Sequence, residues 1–320
     1  MEAKGNILSI QSHVVHGYVG NKVSTFTLQL KGWNVDSVNT VQFSNHPAYK
    51  SFKGFRYPNH EIKDILLQLI DELEFRYDIV LTGYIPSPET LSIIFESMQY
   101  RNSLDSNDSN ALKWFLDPVM GDNGKPYVDE KILPVYKDIL KSGLVYLITP
   151  NQFELQLLID ENYSSINNIC DYLTKSFKKF HELYPKIDNA IITSIQVKDD
   201  NDNIYIAGYS KEKIFYYKIP IIKAIFSGSG DLLSSILLDS YHKYINDDIP
   251  LVNALNNTLS IVYKVLELTY NYEIYTNSNK TTKNFDNEII KVNDLRLIES
   301  IKLLNDSENF LFYKPMFINQ

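Results

Sequence analysis

A Gly-Ser-Gly-Asp sequence occupies positions 228–231, between a run of β character and an apolar pattern of helical period. Two glycines let neighbouring backbone N–H groups converge, and a helix N-terminus adds partial positive charge. Gly228, Ser229 and Gly230 could therefore stabilise the charge on a transferring phosphoryl group. Asp231, in the first helical turn, could take a proton from an attacking hydroxyl. A plain helix start with a favourable acidic residue explains the same four residues.

Two nucleotide-binding fingerprints do not fit this chain. Leu233 stands where a dinucleotide fingerprint needs its third glycine, and no suitable acidic residue follows about 20 positions later. No G-x-x-x-x-G-K-[ST] sequence is present. His13 and His16 are spaced like a metal pair but have no third ligand close in sequence, so they do not predict a zinc site.

Two further stretches contain oxygen-rich side chains. Asp117 and Asp122 lie in FLDPVMGDNG, where they could bind Mg²⁺ or could serve an Asx-type turn. Asn151 and Glu154 lie in LITPNQFELQLL, where they fit a helix N-cap and capping box. The same two residues could instead approach a metal and phosphates, and the residues alone leave both interpretations open.

Short β-type runs alternate with helical patterns along the chain. Strands are predicted at 6–10, 35–43, 78–84, 114–117, 144–149 and 189–195, with a strand pair at 203–209 and 214–222. Helices are predicted at 61–75, 88–100, 129–140, 153–159, 165–183, 231–244 and 250–268. This order predicts an α/β fold with a mainly parallel central sheet and helices on both faces.

The carboxyl ends of parallel strands are where open α/β sheets bind ligands. Polar residues follow each predicted strand, and the fold would place them along one edge: Ser12, positions 44–49, Tyr84, Asp117, Asp122, positions 149–154, Thr193, Ser194 and positions 228–231. Their concentration at strand ends favours a ligand site at this edge, whereas ordinary loop chemistry explains each residue taken singly.

Length and composition are those of a globular protein with one main domain. The chain has 320 residues, 44% of them hydrophobic and 22% charged, and a net charge of −8 that disfavours a nucleic-acid partner. One cysteine, no signal peptide and no long apolar stretch predict a cytoplasmic protein without a membrane span. We expect a domain at 1–270, a polar loop or linker at 271–292, and a segment at 293–320 that packs on the domain.

Eight segments, considered together and in their order along the chain, carry a family resemblance: LSIQSHVVHGYVGNK, VNTVQFSNH, VLTGY, DPVMGD, YVDEKILPVY, ITPNQFE, ITS and FSGSGDL. In this combination the sequence resembles the pyridoxal kinases of the ribokinase superfamily. The resemblance runs from about residue 7 to the helix after Asp231, and more loosely to residue 268. QSHVVHGYVGNK and VQFSNH are similar to segments that separate pyridoxal kinases from the sugar kinases of the superfamily, whereas GSGD resembles a signature shared across the superfamily.

The resemblance implies a ribokinase-like fold and transfer of the ATP γ-phosphoryl group to the 5′-hydroxyl of pyridoxal, pyridoxine or pyridoxamine. Asp231 would be the general base, and Gly228, Ser229 and Gly230 the anion hole. The implied substrate-binding residues are Ser12, Phe43, His46, Pro47, Tyr84 and Asp231. The implied ATP-binding residues are Asp117, Asn151, Glu154, Thr193, Ser194, Phe226 and Ser229.

The resemblance also implies Mg²⁺, with K⁺ or another monovalent cation, and a homodimer in the cytoplasm and also the nucleus. Asp117, Asp122, Thr149 and Glu154 would be the metal-side residues. Pro47 departs from a threonine common in relatives, which bears on vitamer preference, and Ser229 replaces another common threonine. A ribokinase-like kinase of another small alcohol and a non-catalytic regulatory protein on the same fold remain as alternatives.

Overall fold

A central sheet of ten strands forms the middle layer of the protein. The computed structural model describes residues 2–104, 112–122, 124–163, 165–211, 213–278, 289–305 and 313–318, with the backbone alone at 277 and 278. The sheet strands are β1 (Asn6–Val14), β2 (Asn34–Phe43), β3 (Gly54–Arg56), β4 (Ile79–Thr82), β5 (Lys113–Leu116), β8 (Val145–Ile148), β9 (Asn189–Ile195), β10 (Asn203–Ser210), β11 (Lys213–Pro220) and β14 (Met316–Ile318).

The strand order across this sheet is β14-β11-β10-β9-β8-β5-β4-β1-β2-β3. All neighbours from β2 to β9 pair in parallel, whereas β3, β10, β11 and β14 add antiparallel pairs at the two sides. Two small sheets pair β6 (Gly121–Asp122) with β7 (Lys125–Pro126) and β12 (Ala224–Phe226) with β13 (Ile290–Val292). The predicted α/β fold with a mainly parallel sheet is confirmed.

Helices cover both faces of the sheet because side chains alternate along each buried strand. One core packs the sheet against α2 (Asn59–Leu67, continued by a π-helical turn at Gln68–Glu72), α3 (Pro88–Leu104), α4 (Ile132–Ser142), α5 (Gln152–Leu158) and α6 (Ile169–Leu183). The other packs it against α1 (Asn21–Leu30), α7 (Ser229–Tyr244), α8 (Pro250–Ser278) and α9 (Ile301–Asn305). Val80 points into the first core, and its neighbours Ile79 and Leu81 point into the second.

Helix α1 was not predicted from its apolar pattern. Its buried face includes Asn21, Ser24 and Thr27 alongside two apolar residues, so no helical apolar stripe is visible in the sequence. Two of these polar residues bind other buried groups: Ser24 Oγ accepts a hydrogen bond from Gln11 Nε2 at 2.8 Å, and Asn21 Nδ2 donates to Val38 O at 2.9 Å. Tertiary contacts therefore specify this helix.

The C-terminal region differs in part from the expected linker. Helix α8 continues to Ser278, ten residues beyond its predicted end at 268, and β13 forms within the expected linker at 271–292. Strand β14 pairs with β11 and extends the main sheet. Positions 105–111 of the polar loop at 101–113 and positions 279–288 lie outside the described residues, and the domain division itself stays a prediction.

Among the residues that the structure describes, no helix has the length and apolar character needed to cross a membrane.

Candidate active site

The site begins at the turn between β12 and α7. Gly228 caps α7 with φ at 84°, in the left-handed region that favours glycine, and a Cβ there would overlap the carbonyl oxygen of Tyr18. Ser229 starts the helix and donates its hydroxyl to Phe226 O at 3.2 Å. A Cβ on Gly230 would meet no atom within 4 Å, so the surrounding fold leaves open space beside this residue.

Asp231 joins the N-termini of two helices. Its Oδ2 accepts a hydrogen bond at 2.7 Å from the backbone N–H of Gly20, the residue that caps α1. A Cβ on Gly20 would in turn overlap Ser12, which places the end of β1 against the same junction. Burial raises the pKa of Asp231 to about 6, against the opposing effect of the Gly20 hydrogen bond. A carboxylate with this pKa can act as a base near neutral pH.

Asp117 lies directly after β5 and faces α7. Its Oδ2 accepts from Ser234 Oγ at 3.1 Å, and Thr149, directly after β8, approaches the same hydroxyl at 3.4 Å. Burial and, second, the negative charge of Asp231 raise the pKa of Asp117 to about 7, while the Ser234 bond lowers it. Asp117 and Asp231 therefore share one electrostatic environment, where a bound cation would be stabilised.

Asn151 and Glu154 form the predicted capping box of α5. Asn151 Oδ1 accepts from Glu154 N, and Glu154 Oε2 accepts from Asn151 N, both at 2.9 Å. Glu154 Oε1 also accepts from the amides of Met120 and Gly121, which directly precede Asp122. Burial, followed by the charge of Asp117, raises the pKa of Glu154, and the three amides oppose this shift. The helix cap and the candidate site thus use the same side chains.

Thr193 and Ser194 lie at the end of β9, beside the capping box. Asn151 and Thr193 form an isolated parallel bridge, and the Thr193 amide donates to Pro150 O at 2.9 Å. Ser194 has φ at 55°, which is uncommon for a residue with a side chain and recurs at functional sites. Phe226 ends β12, and its backbone carbonyl accepts the hydrogen bond from Ser229.

The oxygen-rich residues fit a divalent cation that is shared with a bound nucleotide. Among the described residues, no three His, Cys, Asp or Glu side chains form a group that could hold a metal by themselves. Both Glu154 oxygens already accept backbone amides, whereas Asp117 has a single hydroxyl donor on Oδ2. Mg²⁺ usually takes one or two carboxylates together with waters and phosphates, and Asp117 suits that pattern better than Glu154.

The second group of predicted residues lies near the ends of β1 and β2. Phe43 ends β2 beside Val14 and packs its ring 4.9 Å from the ring of Phe52. His46 Nδ1 accepts from the Ala48 amide at 3.2 Å, and burial lowers the His46 pKa. Pro47 is exposed in the same turn. The backbone carbonyl of Tyr84, after β4, accepts from Thr40 at 2.9 Å, which ties that loop to β2.

Sequence reasoning missed two members of this site. Gly20 lies in the quoted VGNK segment, but no spacing rule connects position 20 with Asp231. Ser234 is one helical turn after Asp231, so its contact with Asp117 could have been sought once the helix was predicted.

Comparisons with known proteins show the family of this chain. Residues 34–273 match the family model for phosphomethylpyrimidine kinase. BUD17 of Saccharomyces cerevisiae is 40% identical over 308 residues, 93% of this chain and 92% of that protein. The pyridoxal kinase of Homo sapiens is 34% identical over 284 residues, 84% of this chain and 86% of that protein. The chain belongs to the pyridoxal kinase family.

A solved structure of the pyridoxal kinase group supports the fold assignment. Plasmodium falciparum PdxK with AMP-PNP and PL aligns over 100% of both chains, with a TM-score of 0.78 and 27% identity. The resemblance seen in the sequence motifs and the ribokinase-like fold that it implies are therefore confirmed, and the kinase character with them. The roles of the individual site residues stay predictions.

Proposed function

We propose that this protein transfers the γ-phosphoryl group of ATP to the 5′-hydroxyl of pyridoxal, pyridoxine or pyridoxamine. The observation that carries the proposal is the position of Asp231. Its carboxylate is at the N-terminus of α7, hydrogen-bonded to the N-terminus of α1, and electrostatically coupled to Asp117 at the carboxyl end of β5. Human pyridoxal kinase and BUD17 match most of the chain, which supports the substrate class.

In the proposed reaction, the hydroxyl oxygen of the vitamer attacks the γ-phosphorus of ATP and ADP leaves, while Asp231 accepts the proton of that hydroxyl. Phosphoryl transfer requires mainly positioning and charge neutralisation from the protein. The backbone N–H groups of residues 228–230 and the α7 dipole would supply part of that neutralisation. The open space beside Gly230 supports this role, because no neighbouring protein atom explains the absence of a side chain there.

Mg²⁺ belongs to the proposal because a tetra-anionic nucleotide must approach a carboxylate-lined site. Asp117 would hold the ion directly, Glu154 through its hydration shell, and Asp122 would stand nearby, after the Gly121 amide that binds Glu154. Bound Mg²⁺ would neutralise charge on the phosphates. Thr149 and Glu154 are the candidates for a monovalent cation, and Asn151, Thr193, Ser194 and Phe226 for the nucleotide.

The substrate side of the proposal rests on Ser12, Phe43, His46 and Tyr84. Because Nδ1 of His46 accepts the Ala48 amide and burial lowers the His46 pKa, the neutral ring would carry its proton on Nε2. That nitrogen would then donate a hydrogen bond to the pyridine substrate. We also propose a homodimer, from the family resemblance, and a cytoplasmic location, with the nucleus as an alternative.

A coupled assay of ADP release with pyridoxal, ATP and Mg²⁺ tests the proposal. We expect Mg²⁺-dependent turnover, and a fall in kcat of about 10²–10⁴-fold for Asp231→Asn, the range for losing a positioned base. Asn can still accept the Gly20 amide, so the variant should keep its fold. Asp248→Asn, an exposed change beyond the end of the same helix, is the matched control. Equal turnover by wild type and Asp231→Asn would overturn the proposed mechanism.

A second candidate is phosphorylation of a pyrimidine such as hydroxymethylpyrimidine, because the matching family model is that of phosphomethylpyrimidine kinase. Pro47 offers neither a hydroxyl nor an N–H to a ring substrate, so it leaves the choice of heterocycle open. Turnover with pyridoxal, pyridoxine, pyridoxamine and hydroxymethylpyrimidine, measured side by side, separates the two. A higher kcat/KM for the pyrimidine would replace the vitamer proposal.

A further inference from the structure

A C-terminal segment lies across the proposed site, outside the region of the motif resemblance. We call residues 290–296 the C-terminal strap. Its first part is β13, which pairs in parallel with β12 just before the Gly228 turn. The Ser227 amide donates to Val292 O at 3.1 Å, so the strap is bonded to the residue that precedes Gly228.

The strap then contacts both loops on the proposed vitamer side. Asp294 Oδ2 accepts the hydroxyl of Tyr49 and lies 3.5 Å from His16 Nε2. The same carboxylate lies so close to Gly17 that a Cβ there would overlap it. Lys291 Nζ donates to the backbone carbonyl of Ala48, the residue whose amide binds His46. One short segment therefore holds the loops at 16–17 and 46–49 together.

The far end of the strap is fixed to the last turns of α8. The Arg296 amide donates to Thr269 Oγ1 at 3.2 Å, and the Arg296 guanidinium lies 4.1 Å from the ring centre of Tyr272. Leu295 is buried in the core between them. Contacts with β12 and with α8 thus fix the strap on both sides of Asp294.

The charges of the strap also act on His46. Lys291 lowers the His46 pKa and Asp294 raises it, while burial has the largest effect. The Tyr49 pKa is raised to about 12 by burial and by the hydrogen bond to Asp294, so Tyr49 stays a hydroxyl donor at neutral pH. The contact between Tyr49 and Asp294 is therefore a charge-assisted hydrogen bond, which is stronger than a neutral one.

We propose that Asp294 is a positioning residue for the vitamer pocket: through Tyr49, His16 and Gly17 it fixes the loop at 46–49, which carries His46, against the loop at 16–17. The inference rests on the proposed function for the identity of the ligand. It predicts an effect on vitamer binding that is separate from the chemical step, because Asp294 acts through other residues.

Steady-state kinetics of Asp294→Asn test the proposal. We expect the KM for pyridoxal to rise about 5- to 20-fold, as for one lost charge-assisted hydrogen bond, with little change in kcat or in the KM for ATP. Tyr49→Phe should raise the same KM, and the double variant should resemble either single variant because both remove one interaction. Glu299→Gln, an exposed loss of charge shortly after the strap, is the control and should behave as wild type.

Amide hydrogen exchange gives a readout that does not depend on activity. In Asp294→Asn without ligands, residues 15–18 and 46–52 should exchange faster, whereas α6, remote from the strap, should be unchanged. A wild-type enzyme inactive on pyridoxal would overturn the proposed function but would leave this exchange difference as the test of the strap. Unchanged exchange in both loops, or additive effects of the two substitutions on KM, would overturn the positioning role of Asp294.

Discussion

At the residue scale, the site combines two carboxylates whose pKa values are raised by burial. Asp231 has an amide donor in Gly20 and Asp117 has a hydroxyl donor in Ser234. These donors only partly offset the loss of solvation, since both pKa values lie well above the ordinary range. The protein therefore keeps charge in this pocket at a cost in stability, as functional sites commonly do.

We expect Asp117→Asn to lose activity and gain stability at high pH. When the pKa of a carboxyl group is higher in the folded than in the unfolded state, its contribution to stability is complete at pH values below the unfolded-state pKa. That contribution is lost as the pH rises through the folded-state pKa, which is about 7 for Asp117. Asn can keep the Ser234 hydrogen bond without the charge. The variant should thus be more stable than wild type by about 1–2 kcal/mol at pH 8, with a clearly smaller gain at pH 4.5, which is closer to the unfolded pKa of the carboxyl group.

Urea unfolding of the ligand-free protein at the two pH values measures this difference. Asp138→Asn, which removes an exposed carboxylate paired with Lys141, is the control and should show no pH-dependent gain. If Asp117→Asn raises the free energy of unfolding equally at pH 4.5 and pH 8, the raised pKa of Asp117 is not the cause of the added stability.

At the element scale, the sequence predicted the elements whose apolar periodicity is unbroken and missed several short strands and helix α1, whose inner face covers polar groups. The central strands and α7 were predicted, and the placement of Asp117, Asn151 and Asp231 at one edge followed from the parallel order. Helix α1 was missed because its inner face bonds to Gln11 and to Ser235. The Gly20 amide could not be predicted as the partner of Asp231 without that helix.

The two glycines at the start of α7 should respond differently to alanine. Gly228→Ala introduces a Cβ at a positive φ and against Tyr18, so we expect a loss of about 1–3 kcal/mol together with a fall in kcat. Gly230→Ala meets no protein atom, so its stability should be equal or slightly higher. Its kcat should still fall, because the methyl group would occupy the space proposed for the phosphoryl group.

Thermal unfolding and the coupled kinase assay, performed on both variants, check this contrast. Wild-type kcat in Gly230→Ala would show that no phosphate packs against this residue. Equal destabilisation by the two substitutions would contradict the packing argument at Gly228.

At the scale of the whole molecule, the features that the sequence could not predict depend on contacts between residues far apart in the chain. The C-terminal strap reaches the vitamer-side loops from more than 240 positions away, as the Tyr49–Asp294 pair shows. No local pattern in the sequence encodes such a pairing. The predicted end of α8 at 268 also lies ten residues before its observed end at Ser278. The class of reaction was predictable from the resemblance of the motif segments to those of pyridoxal kinases, and the parallel strand order predicted that these segments lie along one edge of the sheet.

The opposite edge of the sheet has a separate, structural charge cluster. Asp239, near the end of α7, is 6% exposed and contacts Lys4 at 2.5 Å, Lys31 at 3.6 Å and Trp33 Nε1 at 2.9 Å. It ties α7 to the residues before β1 and to the end of α1. Burial lowers the pKa of Lys31, and the charge of Asp239 opposes that shift.

We expect Asp239→Ala to lower the free energy of unfolding by about 3–5 kcal/mol, since Lys31 would remain buried without its carboxylate partner. The KM for pyridoxal and ATP should stay at wild-type values, because the cluster lies at the amino ends of the strands, away from Asp231. Urea unfolding and steady-state kinetics of the same preparation measure both quantities. Lys31→Met with Asp239→Leu, which removes both charges and restores apolar volume, should recover much of the lost stability. A raised KM in Asp239→Ala at temperatures where the protein is fully folded would show instead that the two edges of the sheet are coupled through α7.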